Sequence, residues 1–189
     1  FINNVTYTTS RTRLIASAAS ATDIQNYLPS TSTIPVRFDG TVATTSNVGS
    51  VNWTIGNARA AGVTSSTAVA GSMTYNTDFS FDFDPSNGVG GLLSLVDTIV
   101  HECGHAMGFV SAADGSNPVI ETMDLYRFQR TNTGGTWNPT STATFGTYPR
   151  LVDFNTPNDE HIVDIVTTEY RMSDGSPYQA SHFREQTAV

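Results

Sequence analysis

Val96-Asp97-Thr98-Ile99-Val100-His101-Glu102-Cys103-Gly104-His105-Ala106-Met107-Gly108 decides how this chain is read. Each helical residue advances about 100°, so His101 and His105 stand roughly 40° apart, one turn above the other. Two imidazoles so placed can hold one metal ion, and zinc is the ion this donor pair fits. Glu102 lies beside them, turned partly toward the open coordination side, where it can take a proton from a metal-bound water. The flanks support a helix. Ile99, Val100, Cys103, Ala106 and Met107 supply an apolar face, Ser94 with Asp97 reads as a capping box, and Gly108 is a natural stop. Cys103 is expected to pack inward as a small hydrophobe. The bland alternative is a buried helix whose histidines merely hydrogen-bond.

Upstream of this helix the pattern mixes helix and strand. Leu14, Ile15, Ala18, Ala21, Ile24 and Leu28 recur at helical spacing, so a helix, continuous or interrupted, is expected over 11–28, closed by Pro29. Ile34 to Phe38 alternates as a strand before Asp39-Gly40 turns the chain, and a second strand is expected over 50–55. Residues 57–61 predict a short helix stopped by Gly62, followed by strand character over 68–75. Phe79, Phe81 and Phe83 share one face of an expected strand, with acidic residues on the other, which reads as core against solvent. Asp82 and Asp84 are candidate calcium ligands, although the segment lacks the spacing of an EF-hand loop.

Downstream, residues 123–128 and 161–166 alternate as strands. Residues 131–160 are rich in Thr, Asn, Gly and Pro and form a long excursion, a kind of segment that is often functional.

With 189 residues the chain is expected to be a single domain with a real core. A formal net charge of −8 argues against nucleic acid or an anionic membrane surface as partner. No apolar run approaches the length of a membrane span, and Phe1 begins no charged leader. Any export signal is therefore expected to be absent from this chain. One cysteine permits no internal disulfide. All nine cationic side chains are Arg, among abundant Ser, Thr, Asn and Gly, a composition read as extracellular.

A catalytic zinc takes three protein ligands and leaves a position for water, so one ligand remains to be found. The compact pattern would place a histidine at position 111, which is Ser. His161 and His182 remain, with Glu121 and Asp114 as carboxylate alternatives.

The run HECGHAMGF at 101–109 resembles leishmanolysin-type metzincins, in which a long insertion separates the helix motif from a distant third histidine. FDFDPSNG at 81–88, HECGHAMGFVSAAD at 101–114, MDLYRF at 123–128 and QASHF at 179–183 further resemble a family of secreted bacterial zinc metalloproteases. That resemblance implies His182 as third ligand and leaves His161 an ordinary strand residue. It implies an α+β, metzincin-like fold: a mixed twisted sheet packed on the active-site helix, with an irregular C-terminal part. One catalytic domain would span 1–189, with an upper lobe of about 1–109 and a lower lobe of 110–189. The chain departs from the family in lacking a methionine after His182 and a strand and helix before Phe1, so it is expected to be incomplete at both ends. The implied function is a secreted zinc endopeptidase acting on protein or peptide substrates, with His101, His105 and His182 as ligands and Glu102 as base. By the same resemblance, 68–75 would be the sheet edge that binds the substrate backbone. Two alternatives stand beside it: a gluzincin-like site with Glu121 as ligand and Asp124 behind a histidine, and a non-catalytic metal-containing binding domain.

Overall fold

The computed structural model describes residues 1–21, 23–37, 45–112, 119–129, 150–151, 160–162 and 170–172. Strand β1 (Ile2–Thr6) runs directly into helix α1 (Tyr7–Ala16), because the Thr6 side chain accepts from the Thr9 amide and caps the helix. The helix therefore starts before Arg11 and ends well before Leu28. Ser17 closes it through a hydroxyl bond to the Leu14 carbonyl. Asp23 then accepts from the Ala19 and Ser20 amides, which shapes a turn leading to a single 3-10 turn at Ile24–Tyr27. The helical spacing over 11–28 is thus divided between the end of α1 and this turn.

β2 (Ile34–Arg37) pairs antiparallel with β3 (Thr45–Val48), and β4 (Ser50–Trp53) pairs antiparallel with β1. Val51 and Trp53 alternate inward from β4 and join Tyr7, Leu28, Ile34 and Leu125 in the core. The two large aromatics keep their polar ends satisfied inside it: Tyr7 donates to the Pro29 carbonyl (2.9 Å) and the Trp53 indole to Ser10 Oγ (3.0 Å). Helix α2 (Ile55–Ala60) follows β4 at once, capped by Thr54 and stopped before Gly62 as expected.

The segment 68–75 is not a strand. Arg59 holds the Ser66 and Ala68 carbonyls with its guanidinium (2.9 and 2.5 Å), so those acceptors are turned toward α2 and away from any ladder. The phenylalanine stretch also differs from its expected form. Only Phe81–Asp82 makes a strand, β5, parallel to β6 (Leu93–Ser94), while Phe79 and Phe83 are 57% and 77% exposed. Asp82 Oδ1 accepts from the Asp84 amide and Asp84 Oδ1 from the Ser86 amide and hydroxyl; these local bonds end the strand where alternation would continue it.

Helix α3 (Leu95–Ala106) leaves β6 without an intervening loop. Beyond it the chain returns beside β4: the Asn52 amide donates to the Ile120 carbonyl (2.8 Å), and Asn52 forms a parallel bridge with Glu121. Residues 123–126, expected as strand, form a 3-10 turn, and the strand β7 is confined to Arg127–Gln129. β7, β9 (Glu160–Ile162) and β10 (Tyr170–Met172) make a three-stranded antiparallel sheet in the order β10-β9-β7. His161 sits mid-strand, opposite Phe128 and Arg171, as a strand residue was expected to. β8 (Arg150–Leu151) pairs parallel with β2. No helix among the described residues is long and apolar enough to cross a membrane.

Candidate metal centre

The start of α3 is set by Ser94, whose hydroxyl oxygen accepts from the Asp97 amide (3.2 Å), while Asp97 places a negative charge in the first turn. Its end is a Schellman turn. The Phe109 amide donates to the Gly104 carbonyl (2.9 Å) and the Gly108 amide to the His105 carbonyl (3.1 Å), with Gly108 at a φ of 111° that an L side chain rarely adopts. Both helix limits thus lie where the sequence placed them.

The apolar face of α3 behaves differently from its expectation. No residue of the helix is buried, and Val100 and Met107 are 66% and 67% exposed. Contact is made by close backbone approach at the C-terminal end instead. A Cβ on Gly56 of α2 would lie 2.7 Å from the Ala106 carbonyl oxygen, and one on Gly71 would lie 3.2 Å from the Ala106 Cβ. Small residues dock the helix, so its larger apolar side chains are not required for it. Cys103 is half-buried.

His101 and His105 project from successive turns with ring centroids 4.6 Å apart and planes at 89°. Their Nε2 atoms are 3.0 Å apart. Two nitrogens bound to one tetrahedral zinc at about 2.0–2.1 Å stand roughly 3.3 Å from each other, so the pair fits that ion with a small adjustment. The His105 Nδ1 is 2.5 Å from the Phe109 carbonyl oxygen. A carbonyl can only accept, so Nδ1 carries the proton and Nε2 turns its lone pair toward His101. A metal ligand needs that tautomer, and a backbone carbonyl on the far nitrogen is a usual way to hold it. Glu102 follows His101 on the helix and is half-buried.

Among the described residues no third His, Cys, Asp or Glu joins this pair to form a metal-holding group, and that includes Glu121. His182 and Asp114 lie outside the described residues. Asp82 and Asp84 are engaged in their own turns, and the Ser86 hydroxyl and amide hold the Asp84 carboxyl below its ordinary value.

A second polar centre, which the sequence reading missed, lies after the helix. Asp124 is fully buried; Oδ1 accepts from Ser111 Oγ (2.6 Å), and Oδ2 accepts from the Ala112 and Glu121 amides (2.9 Å each). Arg127, also fully buried, donates from Nη1 to Ser111 Oγ (3.1 Å), so a hydroxyl links guanidinium and carboxylate. Burial pushes the Asp124 carboxyl above its ordinary value, against the attraction of Arg127 and the donated hydrogen bonds. The available signal was Asp124 and Arg127 three positions apart in an otherwise apolar run, a spacing that alternation alone hides.

Compared with known proteins, the chain matches no family model, and no curated protein and no solved structure is detectably similar to it.

Proposed function

We propose that this chain is a secreted zinc endopeptidase with a metzincin-like α+β arrangement, in which His101, His105 and His182 bind the metal and Glu102 is the general base. The reading is carried by one observation: two Nε2 atoms 3.0 Å apart on the helix that also bears Glu102, with His105 held in the ligating tautomer. Zinc, when bound, acidifies a water and polarises the scissile carbonyl. The chain's own work is then divided. His105 keeps its outer proton on the Phe109 carbonyl and offers Nε2; His101 offers a second nitrogen across the helix turn. Glu102 takes the water's proton and returns it to the leaving amine, a role for which a carboxylate adjoining the ligands but not itself a ligand is suited. The assignment of His182 rests on the resemblance of the Gln179–Phe183 run.

Two details bear on where the Glu121 alternative finds less support. Glu121 does not group with the two histidines, and Asp124, which that arrangement would place behind a histidine, has its oxygens on Ser111, Ala112 and Glu121. Zinc titration of two variants decides between them. His182→Ala should lose tight zinc binding and Glu121→Ala should keep it; the reverse pattern overturns the ligand assignment. Chelation should remove hydrolysis of a casein-like substrate, and added zinc should restore it. Hydrolysis that persists after complete metal removal contradicts the proposal.

A further inference from the structure

Building on that reading, we propose that Asn57 is a positioning residue for the metal centre: from α2 it fixes the Gly108–Phe109 turn and thereby holds the carbonyl that sets the tautomer of His105. Asn57 lies one turn into α2, and its side chain sits directly under Gly108. A Cβ placed on Gly108 would meet Asn57 Nδ2 at 2.5 Å and its Cβ and Cγ at 3.0 Å. Gly108 is itself buried, so this contact is part of the packed interior. The Asn57 amide also donates to Thr122 Oγ1 (2.9 Å), across 65 positions of sequence. Thr122 is buried and stands between Glu121 and Asp124, in the segment that the Asp124 carboxylate pins to Ala112.

One amide side chain thus ties three pieces together: α2, the turn that ends α3, and the return segment beside β4. Residue 108 can follow the helix only in its left-handed conformation, and the next carbonyl, on Phe109, is the one facing His105 Nδ1. Movement of the turn by a fraction of an ångström would lengthen that bond. His105 could then place its proton on Nε2, which closes that nitrogen to a metal. His101 shares a hydrogen bond with His105 between their Nε2 atoms (3.0 Å), so a proton moved onto His105 Nε2 also reverses the donor and acceptor in that bond.

The metal-free protein supplies the test, with side-chain nitrogen NMR of both histidines in wild type, Asn57→Ala and Thr122→Val. The expected result is a rise in the Nε2–H form of His105 in Asn57→Ala and a smaller rise in Thr122→Val, each matched by a fall in the Nε2–H form of His101. Zinc titration of the same proteins should show a dissociation constant weaker by about 10- to 100-fold for Asn57→Ala, the usual consequence of losing an outer partner of a ligand. Thr122→Val preserves side-chain volume and therefore reads the effect even if Asn57→Ala does not fold. An unchanged His105 tautomer in the folded variants overturns the proposal, as does a change at His101 that leaves His105 as in wild type. Failure of the zinc reading alone would appear as no metal binding in wild type, with the tautomer comparison still decisive for Asn57.

Discussion

Two polar centres lie close in sequence and are built on opposite principles. Around Asp124 the carboxyl oxygens meet two backbone amides and a hydroxyl, and that hydroxyl meets the Arg127 guanidinium. Around His101 and His105 the side chains lie at the surface of a helix without buried residues, and two nitrogens of the same kind converge on each other. A buried carboxyl that accepts several hydrogen bonds from separate segments fixes the geometry of the chain around it. The two histidine nitrogens at 3.0 Å hydrogen-bond to each other, and their spacing is also close to that of two ligands on one metal ion. The first centre holds the return segment in place, and the second is the candidate site.

The largest effect should follow from breaking the first centre. Asp124→Ala leaves Arg127 buried without its carboxylate and should lower folding stability by about 3–5 kcal/mol, measured by denaturant unfolding. A loss below about 1 kcal/mol would mean that the buried network is not a folding device.

Next comes the hinge between the centres. Gly108→Ala forces an L residue to a φ of 111° and drives its Cβ into Asn57, so it should cost roughly 1–3 kcal/mol and weaken zinc binding as well. Loss of stability with unchanged zinc affinity would uncouple the turn from the site.

The pH dependence sharpens the comparison. The folded Asp124 carboxyl lies above its unfolded value, so the native state holds the proton over a window in which the unfolded chain has released it. Stability attributable to this group is present at low pH and lost as pH rises from the ordinary aspartate range through the folded value. The stability difference between wild type and Asp124→Asn should therefore shift against wild type across that window; a shift in its favour would show that Arg127 outweighs burial.

The smallest effect concerns the start of the helix. Ser94→Ala removes the bond to the Asp97 amide and should lower stability by about 1 kcal/mol, without altering the His101–His105 geometry.

These differences follow how much of the molecule was legible in the sequence. The helix of the metal pair was readable because its information is local: Ser94, two histidines four apart, and Gly108 each act within a turn or two. Its packing was not. The apolar residues that mark the face of α3 remain exposed, and docking is made by Gly56, Gly71 and Gly108, whose value lies in what they lack. Strands were expected at 68–75, 79–83 and 123–128, and the last forms only from Arg127 onward. Polar side chains take backbone groups in or beside each: Arg59 the Ala68 carbonyl in the first, Asp82 and Asp84 the amides just after the second, and Asp124 the Ala112 and Glu121 amides ahead of the third. Those captures depend on long or short-range polar partners that hydrophobic patterning does not register. Asn57 was read only as part of a short helix, since its partner Thr122 is brought to it by the return of the chain along β4.

The central claim, that α3 carries a hydrolytic zinc site with separate ligand and base, is tested most directly by measuring bound zinc and peptide cleavage together in Glu102→Ala. The account predicts zinc content equal to wild type with cleavage of a casein-like substrate reduced by about 100- to 10,000-fold, as expected for loss of a general base. Undiminished cleavage in a zinc-loaded Glu102→Ala protein, or loss of the metal itself, would contradict it.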